Sequence, residues 1–257
     1  MSKLNAIIET EFRYGSAMGA KILDLSNSVR VSDDRIPERD AYNYVFVSQE
    51  ASFEEAEATV KEELRRFEQL NLPHSKIVFH PESLHWQTIE VLDSFSYTAR
   101  FIMVLPLTDC ATPEPDENCK VLEARDFEAL HEFEWCMYVS KGSWYASHQT
   151  ELKLDTYSKK NEFEVIVYSV DGRVVGDVEL FADNGIVKFD DFKVHQEYRC
   201  RGYGKKLQRF AMSRACRNGV SHIYAITDDN GFVKELYRKD GFVEAGILHT
   251  FRKSRRS

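Results

Sequence analysis

Two dipeptides in the second half, Asp171-Gly172 and Asn184-Gly185, restrict the fold of this chain more than any other feature. Each stands between apolar, β-branched runs: Phe163 to Val170, Arg173 to Ala182, and Ile186 to Val194. Two-residue loops of this kind need positive φ at both positions, and they join antiparallel strands. The spacing therefore predicts a three-stranded meander. Upstream lie a short strand at Lys120 to Leu122 and a helix at Asp126 to Tyr138. Phe127, Leu130, Phe133 and Glu134 fall at helical spacing there, and Asp126 is the N-cap candidate. A second helix runs from Tyr145 to Tyr157. Downstream come a helix through Asn218, a strand from Ser221 to Thr227, a short helix from Phe232 to Lys239 and a strand from Phe242 to Phe251. The order is β-α-α-β-β-β-α-β-α-β.

The first half is less regular. Asn43 to Ser48, Lys76 to Phe79 and Tyr97 to Leu105 read as strands. Ser52 to Leu70 reads as a helix with a capping box from Ser52 and Glu55. A further helix is expected from Pro81 to Leu92. A stretch with two prolines among acidic and small residues, around Thr108 to Glu117, marks a linker. The expected division is residues 1–110, a linker at 111–117, and residues 118–257. The end of the first half, KIVFHPESLHWQTIEVLDSFSYTARFIMV, can be laid over HIYAITDDNGFVKELYRKDGFVEAGILHTF in the second. Both read strand, helix, aromatic, strand, which suggests a degenerate internal copy. An unrelated α/β domain is the alternative.

The stretch EYRCRGYGKKL, Glu197 to Leu207, lies between the meander and the following helix. Glycines at a strand-to-helix junction let a backbone approach a phosphate, and a helix start offers free N–H groups. From the loop alone, a solvated basic helix start describes it equally well. A Walker loop would need Gly at Arg199 and Ser or Thr at Lys206, and a dinucleotide fingerprint would need Gly or Ala at Leu207. In its surroundings, FDDFKVHQEYRCRGYGKKL resembles motif A of the GNAT (Gcn5-related) N-acetyltransferase superfamily, whose core Q/R-x-x-G-x-G/A is matched by Arg199, Gly202 and Gly204. ITDDNGFVKELYRKDGF resembles motif B through Asn230, Leu236, Tyr237, Gly241 and Phe242, with Val233 at the usual small position. The resemblance covers about Cys119 to Lys253.

The resemblance implies a mixed-sheet α/β acyl-CoA N-acyltransferase fold, in tandem with a degenerate N-terminal GNAT-like domain. It implies an enzyme that carries an acetyl group from acetyl-CoA to a primary amine. Phe192, Lys193 and Val194 would lie on a bulged strand that pairs with the pantetheine arm. The backbone of Arg199, Cys200, Arg201, Gly202, Tyr203, Gly204 and Lys205 would cradle the pyrophosphate. Asn230 would hold the arm, and Tyr237 would protonate the departing thiolate. Asp190 or Asp191 would serve as base or amine-orienting carboxylate; without a bulge only one of them faces the slot. Asp190 is the favoured one, and both as surface carboxylates is the alternative. Cys200 stands where many members have Gly, and His195-Gln196 where many have Leu-Pro.

The remaining features bound the partner. Trp135, Tyr138, Trp144 and Tyr145 cluster around the first two helices of the second half. Trp144 and Tyr145 are substrate-binding candidates as a wall for a cation, with helix packing as the other reading. A net charge of −8 argues against nucleic acid and suits a small cationic amine. A protein N-terminus or lysine is the rival acceptor. A non-catalytic acyl-CoA sensor is the reading from another class. The eight histidines show no paired-ligand spacing, and the five cysteines show no C-x-x-C, so no metal and no disulfide framework are expected. No window approaches the ~20 apolar residues of a membrane span, and the cytoplasm is the expected location. A homodimer is compatible with all of this.

Overall fold

A computed structural model describes residues 2–83, 85–107, 116–159, 162–217, 220–228 and 231–255. Along the chain run α1 (Lys3–Ala17), β1 (Lys21–Asp24), β2 (Ser28–Ser32), β3 (Tyr44–Val47), α2 (Phe53–Gln69), β4 (His74–Phe79), β5 (Ser96–Pro106) and β6 (Cys119–Val121). They continue with α3 (Phe127–Tyr138), α4 (Ser143–Lys159), β7 (Phe163–Val170), β8 (Arg173–Asp183), β9 (Ile186–Val194), α5 (Tyr203–Arg217), β10 (His222–Asp228), α6 (Phe232–Lys239) and β11 (Val243–Ser254). The fold is mixed α/β, as expected. The ten elements from β6 onward follow the order read from the sequence.

The two turn dipeptides explain the meander. Asp171 and Gly172 take φ of 50° and 77°, and Asn184 and Gly185 take 45° and 75°. Positive φ at both positions gives a two-residue turn the twist of its flanking strands. β7 and β8 pair antiparallel from Val170↔Arg173 onward, and β8 and β9 pair antiparallel from Asp183↔Ile186 onward.

Two compact units form, one of Met1–Met103 with Ile226–Ser257 and one of Val104–Ala225. This departs from the division at 111–117, a segment that falls mostly outside the described residues. The physical reason lies in β11. Its backbone pairs antiparallel with β4 from His249↔Phe79 to Ser254↔His74, so its hydrogen bonds go to the first half.

In the first unit the strand order is β1-β2-β3-β4-β11-β5. β1, β2 and β3 pair antiparallel, and β3 runs parallel to β4 across α2. In the second unit the order is β10-β9-β8-β7-β6. There β7, β8 and β9 pair antiparallel, and β9 runs parallel to β10 across α5. The same scheme, an antiparallel meander followed by a βαβ crossover, thus occurs twice.

α2 carries the expected capping box: Glu55 N donates to Ser52 Oγ at 3.3 Å, and Ser52 N donates to Glu55 Oε2 at 2.8 Å. Its inner face packs Ala56 and Val60 on Val45, Ile77 and Phe79. The helix expected from Pro81 to Leu92 does not form. Two 3-10 segments, His85–Thr88 and Glu90–Ser94, replace it, with Ile89 extended between them. The β-branched residues Thr88, Ile89 and Val91 disfavour a continuous helix. α1, β1 and β2 were not anticipated. In the second unit Leu130 and Phe133 of α3 pack on Val165, Val167 and Val174 of the sheet. Asp126 does not cap α3 with its side chain; its carboxylate accepts from Lys120 Nζ at 2.6 Å and from Glu123 N at 3.1 Å. Cys119, Cys136 and Cys200 are free, while Cys216 is disulfide-bonded, against the expectation of reduced thiols throughout.

Candidate functional site

β9 is irregular where the sequence placed Asp190 and Asp191. Asp177 of β8 faces Lys193, and Glu179 faces Asp190. One residue of β8, Val178, therefore opposes two of β9, Asp191 and Phe192. This is a bulge, and Asp191 takes the left-handed φ of 49° within it. The two aspartates consequently have different surroundings. Asp190 Oδ2 lies 3.1 Å from Lys188 Nζ and is half-buried. Asp191 turns into a cluster of charges that the sequence reading did not assemble.

That cluster is built from three directions. α3 supplies Glu134 and Tyr138, α4 supplies Lys153, and β8 and β9 supply Asp177, Glu179, Asp191 and Lys193. Lys153 Nζ lies 2.5 Å from Glu134 Oε1 and 3.0 Å from Glu179 Oε1, and it also pairs with Asp191 Oδ2. Lys193 Nζ lies 2.6 Å from Glu134 Oε2, 2.7 Å from Asp191 Oδ2 and 3.7 Å from Asp177 Oδ1. Tyr157 donates to Glu179 Oε1. Oxygens of Glu134, Asp177 and Asp191 come within 4.8 Å of one another. The Lys193 ammonium reaches all three, so it acts as the cation of that group.

Three buried carboxylates and the part-buried Asp191 face two ammonium groups, and their protonation differs accordingly. Burial pushes Asp177 well above the ordinary carboxylate range, since Lys193 is its main opposing charge and Glu134 adds repulsion. Burial raises Glu179 as well. Burial also opposes ionisation of Glu134 and Asp191, but Lys153 and Lys193 overcome it and hold both below their ordinary values. Burial would discharge Lys153; Asp191 and Glu134 reverse that and keep it charged.

The loop after β9 has the second set of expected residues. Arg199 Nε donates back to Val194 O at 2.9 Å. Cys200 and Gly202 both take left-handed φ, 61° and 82°, before α5 begins at Tyr203. The N–H groups of a first helical turn have no partner within the helix. Chain turns of this kind make backbone concavities for anions. A Cβ on Gly202 would meet nothing, so its glycine serves the backbone angle. A Cβ on Gly204 would lie 3.4 Å from Phe192 Cζ and 3.5 Å from Val194 Cγ2, so that glycine keeps the helix start close to β9. The geometry at Cys200 explains a glycine there and gives no reason for the cysteine. It occupies a left-handed position, which glycine takes without strain.

The charged rim is partly tied down. The Arg201 guanidinium lies 5.3 Å from the centre of the Tyr198 ring. Lys206 Nζ pairs with Asp116 at 2.9 Å. Tyr203 stacks on Tyr168 at 4.8 Å. Lys205 is exposed. The Lys193 side chain belongs to the charge cluster, so only its backbone is available to a ligand along β9. Tyr145 is buried and meets Tyr138 edge-on at 6.0 Å, while Trp144 is exposed and stacks on His148 at 4.3 Å. Tyr138 in turn lies 3.5 Å from Asp191 Oδ2. Tyr145, Tyr138 and Asp191 are therefore brought together, and Trp144 stands on the surface.

Tyr237 lies in α6, in the other compact unit, buried and packed on Phe242 at 5.0 Å. Asn230 lies outside the described residues. Lys153, Asp177 and Glu179 were missed. Asp177 and Glu179 are two apart on a buried strand and so share a face; that pattern was the available signal.

The model of the Acetyltransferase (GNAT) family matches residues 127–242. No curated protein matches the chain in sequence. Among solved structures, a functionally unknown protein from Staphylococcus epidermidis superposes with a TM-score of 0.73 at 15% identity, covering 92% of this chain and 95% of its own. A GCN5-related N-acetyltransferase from Kribbella flavida gives 0.67 at 13% identity over 98% and 96%. A tandem GNAT protein from the clavulanic acid biosynthesis pathway gives 0.52 at 12% identity over 75% and 67%. No helix among the described residues is long and apolar enough to cross a membrane.

Proposed function

We propose, from the premise that the chain carries an Acetyltransferase (GNAT) family domain at residues 127–242, that it transfers the acetyl group of acetyl-CoA to a primary amine. The observation that carries this reading is the succession of the β9 bulge, two left-handed residues and the start of α5. The edge of the bulge suits an amide-rich arm, and the amides at the helix start suit a pyrophosphate. The acceptor we favour is a small cationic amine, on the net charge of −8 and the carboxylates at the bulge.

The chemistry is direct transfer. The amine nitrogen attacks the thioester carbonyl, the new C–N bond forms, and the C–S bond breaks. One proton leaves the amine and one reaches the departing thiolate. An ammonium has no lone pair, so a carboxylate assists the first loss. Asp191 is committed to two ammonium groups and is suited to receiving a hydrogen bond, whereas Asp190 pairs with one, Lys188, among the described residues and is the better candidate base. Tyr237 is assigned the thiolate proton. A cytoplasmic location and a small-molecule partner go with the reading.

The test is release of free thiol from acetyl-CoA across a panel of amines. No release with any amine, while acetyl-CoA still raises the melting temperature, would leave a binding protein and sink the enzyme. Tyr237→Phe is expected to slow turnover at unchanged acetyl-CoA affinity; an unchanged rate removes Tyr237 from the acid role.

A further inference from the structure

Asp191 uses its two carboxylate oxygens unequally. Oδ2 accepts from Lys193 Nζ at 2.7 Å, from Tyr138 Oη at 3.5 Å and from Lys153 Nζ. Oδ1 has no partner among the described residues, and the side chain keeps 24% of its surface exposed. The other charged members are more enclosed, with Lys193 at 12% exposed. The side chains of Lys153 and Glu179 are each 1% exposed, and those of Glu134 and Asp177 are 0% exposed. The cluster thus reaches the surface chiefly at the one oxygen that none of its donors occupies.

Lys153 is placed to impose this. It projects from the middle of α4, between Glu134 on α3 and Glu179 on β8. Each lysine serves two further carboxylates, but the Lys153 side chain is 1% exposed and that of Lys193 12%, so Lys153 is the more tightly enclosed of the two. Asp191 holds a left-handed φ of 49°, less favourable than an ordinary backbone for a residue with a Cβ, so an anchor helps to keep it there. We infer that Lys153 is a positioning residue of the acceptor site: it clamps Oδ2 of Asp191 from beneath the bulge and so presents Oδ1 as a fixed anion for the ammonium of a cationic amine. The amine in this statement rests on the acetyltransferase reading; the clamp does not.

Every charge that faces Asp191 bears on the test. α3 contributes Glu134 and the Tyr138 hydroxyl, and β8 contributes Asp177 and Glu179. β9 contributes Lys193, with Asp190 as its neighbour. Of the two cations, Lys153 does most to keep the Asp191 carboxyl ionised against burial. Its removal therefore shifts the titration of Asp191 upward.

The experiment follows the Asp191 side-chain carboxyl by carbon-13 NMR over pH, in wild type, Lys153→Met and Lys153→Arg. Lys153→Met should titrate at least about one pH unit higher, and Lys153→Arg should stay close to wild type. Should Lys153→Met not fold, Lys153→Met/Glu179→Gln removes one charge of each sign and keeps the buried balance. Steady-state kinetics supply the second readout. With a diamine as acceptor, KM should rise about tenfold in Lys153→Met. KM for acetyl-CoA should stay unchanged. An Asp191 titration that ignores Lys153 overturns the inference. So does a fall in kcat with both KM values unchanged, which a structural role alone would give. If wild type releases no thiol with any amine, the enzyme reading fails, and the NMR titration still decides the clamp.

Discussion

Replacing Asp177 with Asn should stabilise the protein by an amount that grows with pH. The Asp177 side chain is fully buried, and no group among the described residues donates a hydrogen bond to either oxygen. Its nearest cation, Lys193 Nζ, stands 3.7 Å away with Lys153 as the weaker second, and carboxylate oxygens of Glu134 and Asp191 lie within 4.8 Å. Burial therefore raises its folded pKa well above the ordinary 3.8. A raised carboxyl contributes its full stability below 3.8, and that stability is lost as pH climbs toward the folded value. Across that window the wild type loses about 1.4 kcal/mol per pH unit relative to a residue that never ionises. Asn has the same shape and stays neutral. Within that window the variant's lead should widen by about 1.4 kcal/mol for each pH unit, or roughly 3–6 °C in melting temperature for a chain of this size. Urea unfolding followed by circular dichroism over a pH series gives the comparison. A gap that stays constant or narrows with rising pH would mean that Asp177 is ionised in the folded state, and the charge assignment of the cluster would fall with it.

Substitutions at two further positions test the backbone around the bulge and loop. A Cβ on Gly176 would sit 2.8 Å from the Lys193 carbonyl oxygen and 3.3 Å from Val194 Cγ2, so Gly176→Ala should cost about 1–3 kcal/mol; an unchanged or higher melting temperature would show that β9 can give way. Cys200 sits at a φ of 61°, where strain of about 1–2 kcal/mol outweighs the roughly 0.5–1 kcal/mol of unfolded freedom that glycine adds. Cys200→Gly should therefore melt slightly higher and Cys200→Val clearly lower. The reverse order would remove the conformational account of that loop.

Local rules made much of this molecule legible. Asp171-Gly172 and Asn184-Gly185 fixed the meander because turn geometry depends on the residues in the turn and little else. Ser52 and Glu55 fixed the start of α2 for the same reason. The bulge at Asp191 was expected only from the resemblance, since a bulge depends on how two strands share register. The charge cluster was harder still. Glu134 falls on the apolar face of α3 in the sequence, and Asp177 and Glu179 alternate inward on β8, but nothing local says that Lys153 and Lys193 arrive to meet them. Those partners lie on separate elements, and only tertiary packing puts them within 4 Å. The missing helix after Pro81 shows the converse: a good start signal was overridden by the β-branched residues that followed it.

The pairing of β11 with β4 has a consequence for synthesis. Residues His74 to Phe79 leave the ribosome long before their neighbour, His249 to Ser254, has been made. At ~5–20 residues per second, the growing N-terminal half waits many seconds with one strand edge open to solvent. It resembles a zip whose slider arrives long after its first teeth. Synthesis of β11 is therefore the step that gives the open edge of β4 its partner.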